Sequence, residues 1–222
     1  MTVHIFVEGA SERALLDKWV PRLRMTSMVR IHPHQGKGAI PSPLNRPLDK
    51  KRRGLLDQLP AKLSAFSRIP DPEENTFVVL IDADDSNVDQ LIESIKVMAA
   101  FVSPKLRVFV QVATEETEAF YLGDLHGLRA AFPDADFELA KRYRPDSICD
   151  TWELFGKIVG DDGGNKVAWA EAMGTVLTTQ ASKSRSPSFK QLVKALAQAD
   201  KQPARVLKQK RFRHVAKSTK RR

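Results

Sequence analysis

Three acidic residues follow directly on a short apolar segment near the middle of this sequence. The stretch TFVVLIDADDS carries five apolar residues straight into Asp82, Asp84 and Asp85. Carboxylates that are brought together repel one another and raise each other's proton affinity, so a cluster of them requires cations nearby. Magnesium prefers carboxylate, water and phosphate oxygens, and the spacing Asp-x-Asp in a turn lets two carboxylates face one ion. We therefore expect these three acids to be ligands of Mg²⁺, with Mn²⁺ as an alternative.

Acids also follow two other apolar segments. The segment HIFV ends at Glu8, and RVFVQVA is followed by TEETEA, which contains Glu116 and Glu118. A carboxylate in the position of Glu8 would be a further ligand or the group that transfers a proton. The predicted catalytic residues are therefore Glu8, Asp82 and Asp84, and Glu116 and Glu118 join them in the predicted metal site.

Each of these acids also has a second interpretation. Asp84, Asp85, Ser86 or Asn87 would serve equally as the cap of a helix that begins near Val88, because these residue types cap helices and acids favour helix N-termini. Glu8 would be an incidental turn residue, and EETEA a charged helix face. Capping does not explain Asp82, which ends the apolar segment, and the convergence of acids in one cleft favours the metal site.

Short apolar segments alternate with helical periodicity over the first half of the chain. HIFV, the weaker VRI, FVVLI and RVFVQVA are predicted strands, because they are short and rich in β-branched residues. This alternation predicts the α/β class, with an open, mainly parallel sheet and helices on both faces. Ligands of such sheets bind beyond the carboxyl ends of the strands, and the acids lie at those ends.

The chain divides into three predicted parts. Residues 1–125 form the expected catalytic core. Residues 126–200 have helical periodicity, with a serine cap and a proline at the start of the last helix, and are expected to pack on the core. Residues 201–222 form a basic tail that we expect to be flexible, since it holds ten of the 36 Lys and Arg residues and no acid. The overall charge of +9 therefore belongs to the tail, and the rest of the chain is almost neutral.

Several basic residues are candidates for binding nucleic acid. The block KQKRFRHVAKSTKRR suits either an arm that meets phosphates or a solvated terminus. Lys37, between two glycines, would approach a phosphate from a loop or lie in water. Lys183 and Arg185 precede the helix start SPSF, which is a predicted anion site. The tail residues predicted to bind nucleic acid are Lys208, Lys210, Arg211 and Arg213.

The sequence also bears on the compartment. A single cysteine, Cys149, provides no disulfide framework and fits a reducing environment. No apolar run approaches the length needed to cross a membrane. The start MTVHIFVEG lacks the basic and long apolar regions of a signal peptide. We therefore expect a cytoplasmic protein with no membrane association.

Two motifs resemble a known fold. VEGASE near the N-terminus and LIDADD at a later strand end resemble the Toprim domains of topoisomerases, bacterial primases and overcoming-lysogenization-defect nucleases. Toprim domains place a Glu-Gly pair after the first strand and Asp-x-Asp after a later one, which Glu8-Gly9, Asp82 and Asp84 match. With ATEETEAFYLGD and SPSF, the motifs are similar to a bacterial Toprim-like family of unknown function, often encoded beside an ATPase in phage-defence islands. The wider resemblance covers most of residues 1–196.

This resemblance implies a magnesium-dependent nuclease that hydrolyses DNA or RNA as the effector of an antiviral defence system. It implies Glu8 as general acid or base and the aspartates as metal ligands. The implied partners are nucleic acid and an ATPase, and a second copy of this chain is a further candidate partner. Neither Tyr121 nor Tyr143 lies in the context of a topoisomerase nucleophile, which favours hydrolysis over transesterification.

Two other functions remain open at the level of sequence. Asp-x-Asp after a strand also occurs in phosphatases of the haloacid dehalogenase type, with the first aspartate, here Asp82, as nucleophile. Those enzymes usually carry the motif on their first strand. The other alternative is a non-catalytic subunit that keeps the fold, binds nucleic acid and regulates an ATPase.

Overall fold

A four-stranded parallel sheet forms the centre of the protein. The computed structural model describes residues 1–44, 49, 51–147, 150–161 and 164–201. The strand order is β2-β1-β3-β4, and every neighbouring pair is parallel, which confirms the predicted α/β class. The strands are β1 (Thr2–Val7), β2 (Met28–Pro33), β3 (Asn75–Asp82) and β4 (Arg107–Ala113).

The helices follow the predicted periodicity where the segments are long. The two short helices α5 and α6 were not predicted, because six or seven residues are too few to establish a period of 3.6. No helix in the described ranges combines the length and apolar character needed to cross a membrane. The helices are α1 (Ala10–Trp19), α2 (Leu55–Phe66), α3 (Val88–Val102), α4 (Glu118–Gly123), α5 (Leu125–Ala131), α6 (Phe137–Arg142), α7 (Thr151–Val159), α8 (Lys166–Val176) and α9 (Pro187–Ala199).

Both faces of the sheet are covered by helices. Alternate residues of β3 point to opposite faces: Val78 and Leu80 enter a core with α1, α8 and α9, whereas Val79 and Ile81 enter a core with α2 and α3. A strand buried on both faces reads as a continuous apolar run rather than an alternating one. This explains why all five residues directly before Asp82, Phe77 to Ile81, are apolar: each of them faces one of the two cores.

The helices after residue 125 share a core with the sheet. The rings of Trp19 in α1 and Phe189 in α9 lie 5.2 Å apart. The indole nitrogen of Trp19 donates a hydrogen bond to the carbonyl of Thr178 at 3.0 Å. Helix α8 approaches α1 closely at Gly174, where an added Cβ would lie 2.7 Å from the carbonyl oxygen of Leu15. The C-terminal helices therefore hold α1 in place, and α1 begins two residues after Glu8.

The topology creates a crevice at the carboxyl ends of β1 and β3. These strands are neighbours, but the helices that follow them, α1 and α3, lie on opposite faces of the sheet. In open parallel sheets, such a change of direction leaves a gap outside the strand ends where ligands bind. Glu8 and Asp82 both lie at this gap.

Candidate functional site

Three strand ends meet at Asp82. Its main-chain N–H donates a hydrogen bond of 2.8 Å to Oε1 of Glu8, across 74 residues of sequence. Its Oδ1 accepts a hydrogen bond of 3.0 Å from the hydroxyl of Thr117, which follows β4. The expected proximity of Glu8 and Asp82 is therefore present, and it is set by the parallel register of β1 and β3.

Four carboxyl groups surround this point, and we call Glu8, Glu12, Asp82 and Glu118 the acid cluster. Glu12 lies in the first turn of α1 and is 7% exposed, and Glu118 opens α4 and is 3% exposed. Glu12 was not among the predicted site residues. The signal that would have found it is its spacing of four residues from Glu8, one helical turn beyond the strand end.

Burial and mutual repulsion raise the proton affinity of Glu8, Asp82 and Glu118. Burial raises the pKa of Glu8 to about 7, and the charges of Asp84 and Glu12 add to this effect. Burial also raises the pKa of Glu118 to about 7, against the opposing charge of Lys166. The pKa of Asp82 lies well above its ordinary value, through burial and then the charges of Glu12, Glu8 and Glu118. Ionised together, these groups need a cation.

The hydroxyl of Tyr121 lies beside the acid cluster without a partner. Tyr121 is fully buried, and no described residue forms a hydrogen bond with its hydroxyl. Its pKa is raised well above the ordinary value by burial and by the charges of Glu118, Glu12 and Asp82. A buried hydroxyl without a partner is costly, and water or a ligand commonly satisfies such a group. Tyr121 therefore indicates that a polar species belongs within the acid cluster.

Lys37 lies at the rim of the site rather than in solvent. Its ammonium group donates to the carbonyl of Ala83 at 2.8 Å, and to Asp84 Oδ2 and the hydroxyl of Ser86 at 3.1 Å each. The flanking Gly36 and Gly38 have φ values of 87° and 66°, which a residue with a side chain rarely adopts. The loop is thus shaped to place a cation against the residues that follow β3.

The loop that carries Lys37 is tied to the strand end and to α2. The N–H of Gly36 donates to the carbonyl of Glu8 at 2.9 Å, and Leu55 and Leu56 donate to the carbonyls of Gly36 and Lys37 at 2.8 Å. These backbone hydrogen bonds fix the position of the Lys37 backbone relative to the sheet. They do not involve the ammonium group, so they do not depend on its contacts with Ala83, Asp84 and Ser86.

The other predicted ligands are placed outside the acid cluster. Glu116 accepts a hydrogen bond of 2.9 Å from the N–H of Trp152 at the start of α7, and Lys166 lies 3.5 Å from its other oxygen. Glu115, fully within the core, accepts hydrogen bonds from the hydroxyls of Tyr143 and Thr151. These two acids hold α7 against the end of β4, so of the EETEA acids only Glu118 faces the cluster.

Asp84 and Asp85 occupy the exposed turn between β3 and α3. Both residues are exposed, and Asp84 is paired with Lys37. Neither caps α3, whose N-terminus is capped by Asn87, which accepts a hydrogen bond from the N–H of Gln90 at 3.0 Å. The predicted cap of the helix near Val88 is therefore Asn87, one of the four candidates, and not Asp84 or Asp85, because the chain reaches Asn87 before the helix begins.

The donor set of this site suits a hard divalent cation. Carboxylate oxygens are ligands that Mg²⁺ prefers, and Glu8, Glu12, Asp82 and Glu118 supply four carboxyl groups close enough to affect one another. In their present rotamers, however, no three described His, Cys, Asp or Glu side chains are placed to hold one ion. Ion binding would therefore require small side-chain movements, including release of Asp84 from Lys37.

The predicted anion site at the start of α9 is filled by the protein itself. Ser186 caps the helix as predicted, with Pro187 as its first residue. The carboxylate of Asp146 accepts hydrogen bonds from the N–H of Ser188 at 2.6 Å and from the hydroxyl of Ser186 at 2.9 Å. Asp146 is therefore the anion at this helix start.

The two basic residues before α9 differ in their surroundings. The Arg185 guanidinium donates to the carbonyl of Tyr143, whereas Lys183 is exposed. Both line a cleft of about 620 Å³ beside Asp124, and their binding to nucleic acid stays a prediction. The predicted tail residues Lys208, Lys210, Arg211 and Arg213 lie outside the described residues.

No protein-family model matches this chain, and no curated protein or solved structure matches it either. The site is therefore interpreted from its own residues.

Replacing Glu118 by Gln is expected to change how stability depends on pH. Because its pKa is raised from 4.5 to about 7 in the folded protein, Glu118 stabilises the fold when protonated. That contribution to stability is lost as the pH rises from about 4.5 to above the folded-state pKa of about 7. In EDTA, the free energy of unfolding of Glu118→Gln relative to wild type should increase by about 2–3 kcal/mol between pH 4.5 and pH 8.

Urea unfolding at several pH values measures this difference. Comparison with wild type is essential, because the buried histidines titrate with the opposite sign: burial lowers the pKa of His32 to about 4. Stability from such a histidine is present above its unfolded pKa and is lost as the pH falls. Glu93→Gln, on an exposed position of α3, is the control. A pH-independent difference for Glu118→Gln would contradict the assigned environment.

Proposed function

We propose that this protein is a metal-dependent phosphodiesterase of Toprim-like character that hydrolyses DNA or RNA. The observation that carries the proposal is the acid cluster at the β1–β3 crevice, where burial and repulsion raise several carboxyl pKa values together. Such coupled acids in a cleft are typical of functional sites. The resemblance of VEGASE and LIDADD to Toprim motifs supports the same conclusion.

Mg²⁺ or Mn²⁺, when bound, would polarise a phosphodiester and lower the pKa of water. Asp82, Glu12 and Glu118 are the residues that would hold it, since the charges of Glu12 and Glu118 act on the Asp82 carboxyl group. Asp84 would join them once it has separated from Lys37. Tyr121 would donate its hydroxyl proton to an oxygen inside the cluster and thereby gain the partner that it lacks.

Glu8 is suited to proton transfer at neutral pH. Its pKa of about 7 means that both its protonated and ionised forms are populated under physiological conditions. One of its oxygens is fixed by the N–H of Asp82, which leaves the other to accept a proton from an attacking water. We assign Glu8 as general base, with the ionised form required for activity.

Lys37 has a place in the same scheme. Its ammonium lies at the open rim, next to the Asp84 carboxylate, on a loop whose backbone is fixed to β1 and α2. If Asp84 became a ligand of a bound cation, the Lys37 ammonium would be able to pair with a phosphate oxygen. The proposed role of Lys37 is thus to neutralise Asp84 before a metal binds and then to neutralise the substrate.

The experiment is a cleavage assay on labelled single-stranded and supercoiled DNA and on RNA, with Mg²⁺, Mn²⁺ or EDTA. Wild type should cleave only with metal, and Glu8→Gln and Asp82→Asn should lower the rate by about 10²–10⁴-fold, the range for loss of acid–base and metal-binding groups. Glu93→Gln, an exposed acid of α3, is the matched control and should cleave as wild type does. Equal cleavage by all four proteins would show a contaminating nuclease and end the proposal.

A non-catalytic regulatory subunit is the second candidate. The observation that favours it is the pairing of Lys37 with Asp84, together with the lack of a preassembled metal site in the described residues. A silent nuclease assay, combined with an ATPase that co-purifies from the native host, would support this function. A phospho-aspartate trapped on Asp82 would instead assign a phosphatase.

If the nuclease assignment holds, the resemblance extends it to a cytoplasmic antiviral effector that works with an ATPase. Deletion of residues 202–222 should then weaken nucleic-acid binding, because ten basic residues lie between positions 201 and 222 and only Lys201 would remain. If the dependence of binding on salt is unchanged by the deletion, the tail does not bind nucleic acid and serves solubility or protein contacts instead.

A further inference from the structure

We propose that a basic cleft beside the acid cluster binds the phosphodiester backbone of single-stranded nucleic acid. This inference rests on the proposed function and adds the path by which the substrate reaches Glu8. The cleft has a volume of about 470 Å³ and lies at the carboxyl ends of β1 and β2. Its lining residues are Ala10, Arg13, Pro33, His34, Gln35, Arg53 and Gln58.

The cleft adjoins the proposed catalytic base. Ala10, which lines it, is two residues from Glu8, and the N–H of Gly36 beside the lining residue Gln35 donates to the carbonyl of Glu8 at 2.9 Å. The N–H of Gln35 in turn donates to the carbonyl of Arg53 at 3.0 Å, which joins the two walls of the cleft. A strand lying here would therefore pass directly over the end of β1.

The chemistry of the lining suits phosphate oxygens. The cleft is bordered by two guanidinium groups and two side-chain amides, and none of its described lining residues is an acid. Among the described residues, Arg13 contacts Asp17 through its Nε at 3.3 Å, and both side chains are half exposed. Exposed ion pairs of this spacing contribute little, so the remaining guanidinium donors are available to a phosphate.

The lining also indicates recognition of the backbone rather than the bases. His34 is its one ring besides Pro33, and both nitrogens of His34 are engaged, with the carbonyl of Val7 at 2.8 Å and with Lys62 at 2.6 Å. Base-specific or stacking recognition of single strands uses accessible aromatic faces. A cleft of about 470 Å³ has room for about one nucleotide unit within it, so it fits the backbone of one strand. We therefore assign sequence-independent contact with one strand.

The test is fluorescence anisotropy of a labelled single-stranded oligonucleotide in EDTA, so that binding is measured without cleavage. Arg13→Gln and Arg53→Gln should each weaken binding about 3- to 10-fold at low salt. Each should also reduce the slope of log K against log salt by about 0.7, the value for one phosphate contact on a single strand. Binding by an unlabelled duplex competitor should be weaker than by the same strand alone.

Two control variants separate this cleft from general charge effects. Asp17→Asn breaks the ion pair of Arg13 but keeps the guanidinium, and should bind at least as tightly as wild type. Lys105→Gln removes an exposed charge just before β4, at the opposite edge of the sheet, and should leave binding unchanged. Wild-type affinity and salt slope in an Arg13→Gln/Arg53→Gln double variant of unchanged melting temperature would overturn the proposal, as would an equal loss in Lys105→Gln.

Failure of the cleft and failure of the proposed function give different results. If the arginine double variant retains metal-dependent cleavage in full, the role of the cleft in substrate binding is wrong, and the nuclease function stands. Conversely, if oligonucleotide binding depends on both arginines but the protein has no cleavage activity, the cleft binds nucleic acid and the nuclease function is wrong.

Discussion

Asp82→Asn is expected to make the metal-free protein more stable while it abolishes stabilisation by Mg²⁺. The substitution keeps the side-chain shape and an acceptor for the Thr117 hydroxyl, and it removes a charge that Glu8, Glu12 and Glu118 oppose. Relief of one pKa unit of repulsion corresponds to about 1.4 kcal/mol. At pH 8 in EDTA, a chain of this size should therefore melt about 3–5 °C higher than wild type.

Magnesium should reverse this order. A ligand at a hundredfold its dissociation constant stabilises the native state by about 2.7 kcal/mol, so wild type should gain several degrees and Asp82→Asn should gain almost none. The gain of wild type should be larger at pH 8 than at pH 5.5, because Glu118, a proposed ligand with a pKa of about 7, must lose its proton to bind a cation. Differential scanning calorimetry at both pH values measures the melting temperatures of wild type and Asp82→Asn, each with and without Mg²⁺.

The control for this experiment is Glu93→Gln, which removes an exposed acid from α3. It should match wild type with and without Mg²⁺. An Asp82→Asn protein that is less stable than wild type in EDTA, or that gains as much from Mg²⁺, would show that Asp82 is a structural residue without a cation to bind.

Lys37→Gln is expected to tighten binding of Mn²⁺ by about tenfold, or 1.4 kcal/mol. The Lys37 ammonium occupies three oxygens next to the acid cluster, from Ala83, Asp84 and Ser86, so a metal must displace it or bind beside a like charge. A glutamine can still donate a hydrogen bond to the Ala83 carbonyl, which preserves the turn without the charge. Titration of Mn²⁺ followed by electron paramagnetic resonance measures the affinity without any substrate.

Cleavage should change in the opposite direction. Because Lys37 is also proposed to neutralise the substrate, Lys37→Gln should bind metal more tightly and yet cleave more slowly at saturating metal. Lys51→Gln, which removes an exposed lysine of the same connection between β2 and α2, is the control and should alter neither quantity. Weaker Mn²⁺ binding by Lys37→Gln would mean that the lysine instead holds Asp84 in a ligand position.

Local structure and the position of the acids at strand ends could be predicted from the sequence. The apolar segments that became β1, β3 and β4 are short and uniform, and each requires burial whatever its neighbours are. The Ser186-Pro187 helix start is likewise a local signal. Such features depend on residues within one or two helical turns of each other, and the sequence displays those residues side by side.

Which acids share one site was decided by the tertiary structure. Glu118 enters the acid cluster while Glu116, two residues earlier, turns to the start of α7, because the chain bends into α4 between them. Glu12 joins through the path of α1, which α8 and α9 hold against the sheet.

The cations and anions that neutralise these groups were also beyond local prediction. Lys37 reaches Asp84 across 47 residues, and Asp146 fills the start of α9 across about 40. The sequence by itself determined the strands, their parallel arrangement and the acids at their ends. The register between distant segments decided which charges meet, because electrostatic contacts act over a few ångströms in space whatever the separation along the chain.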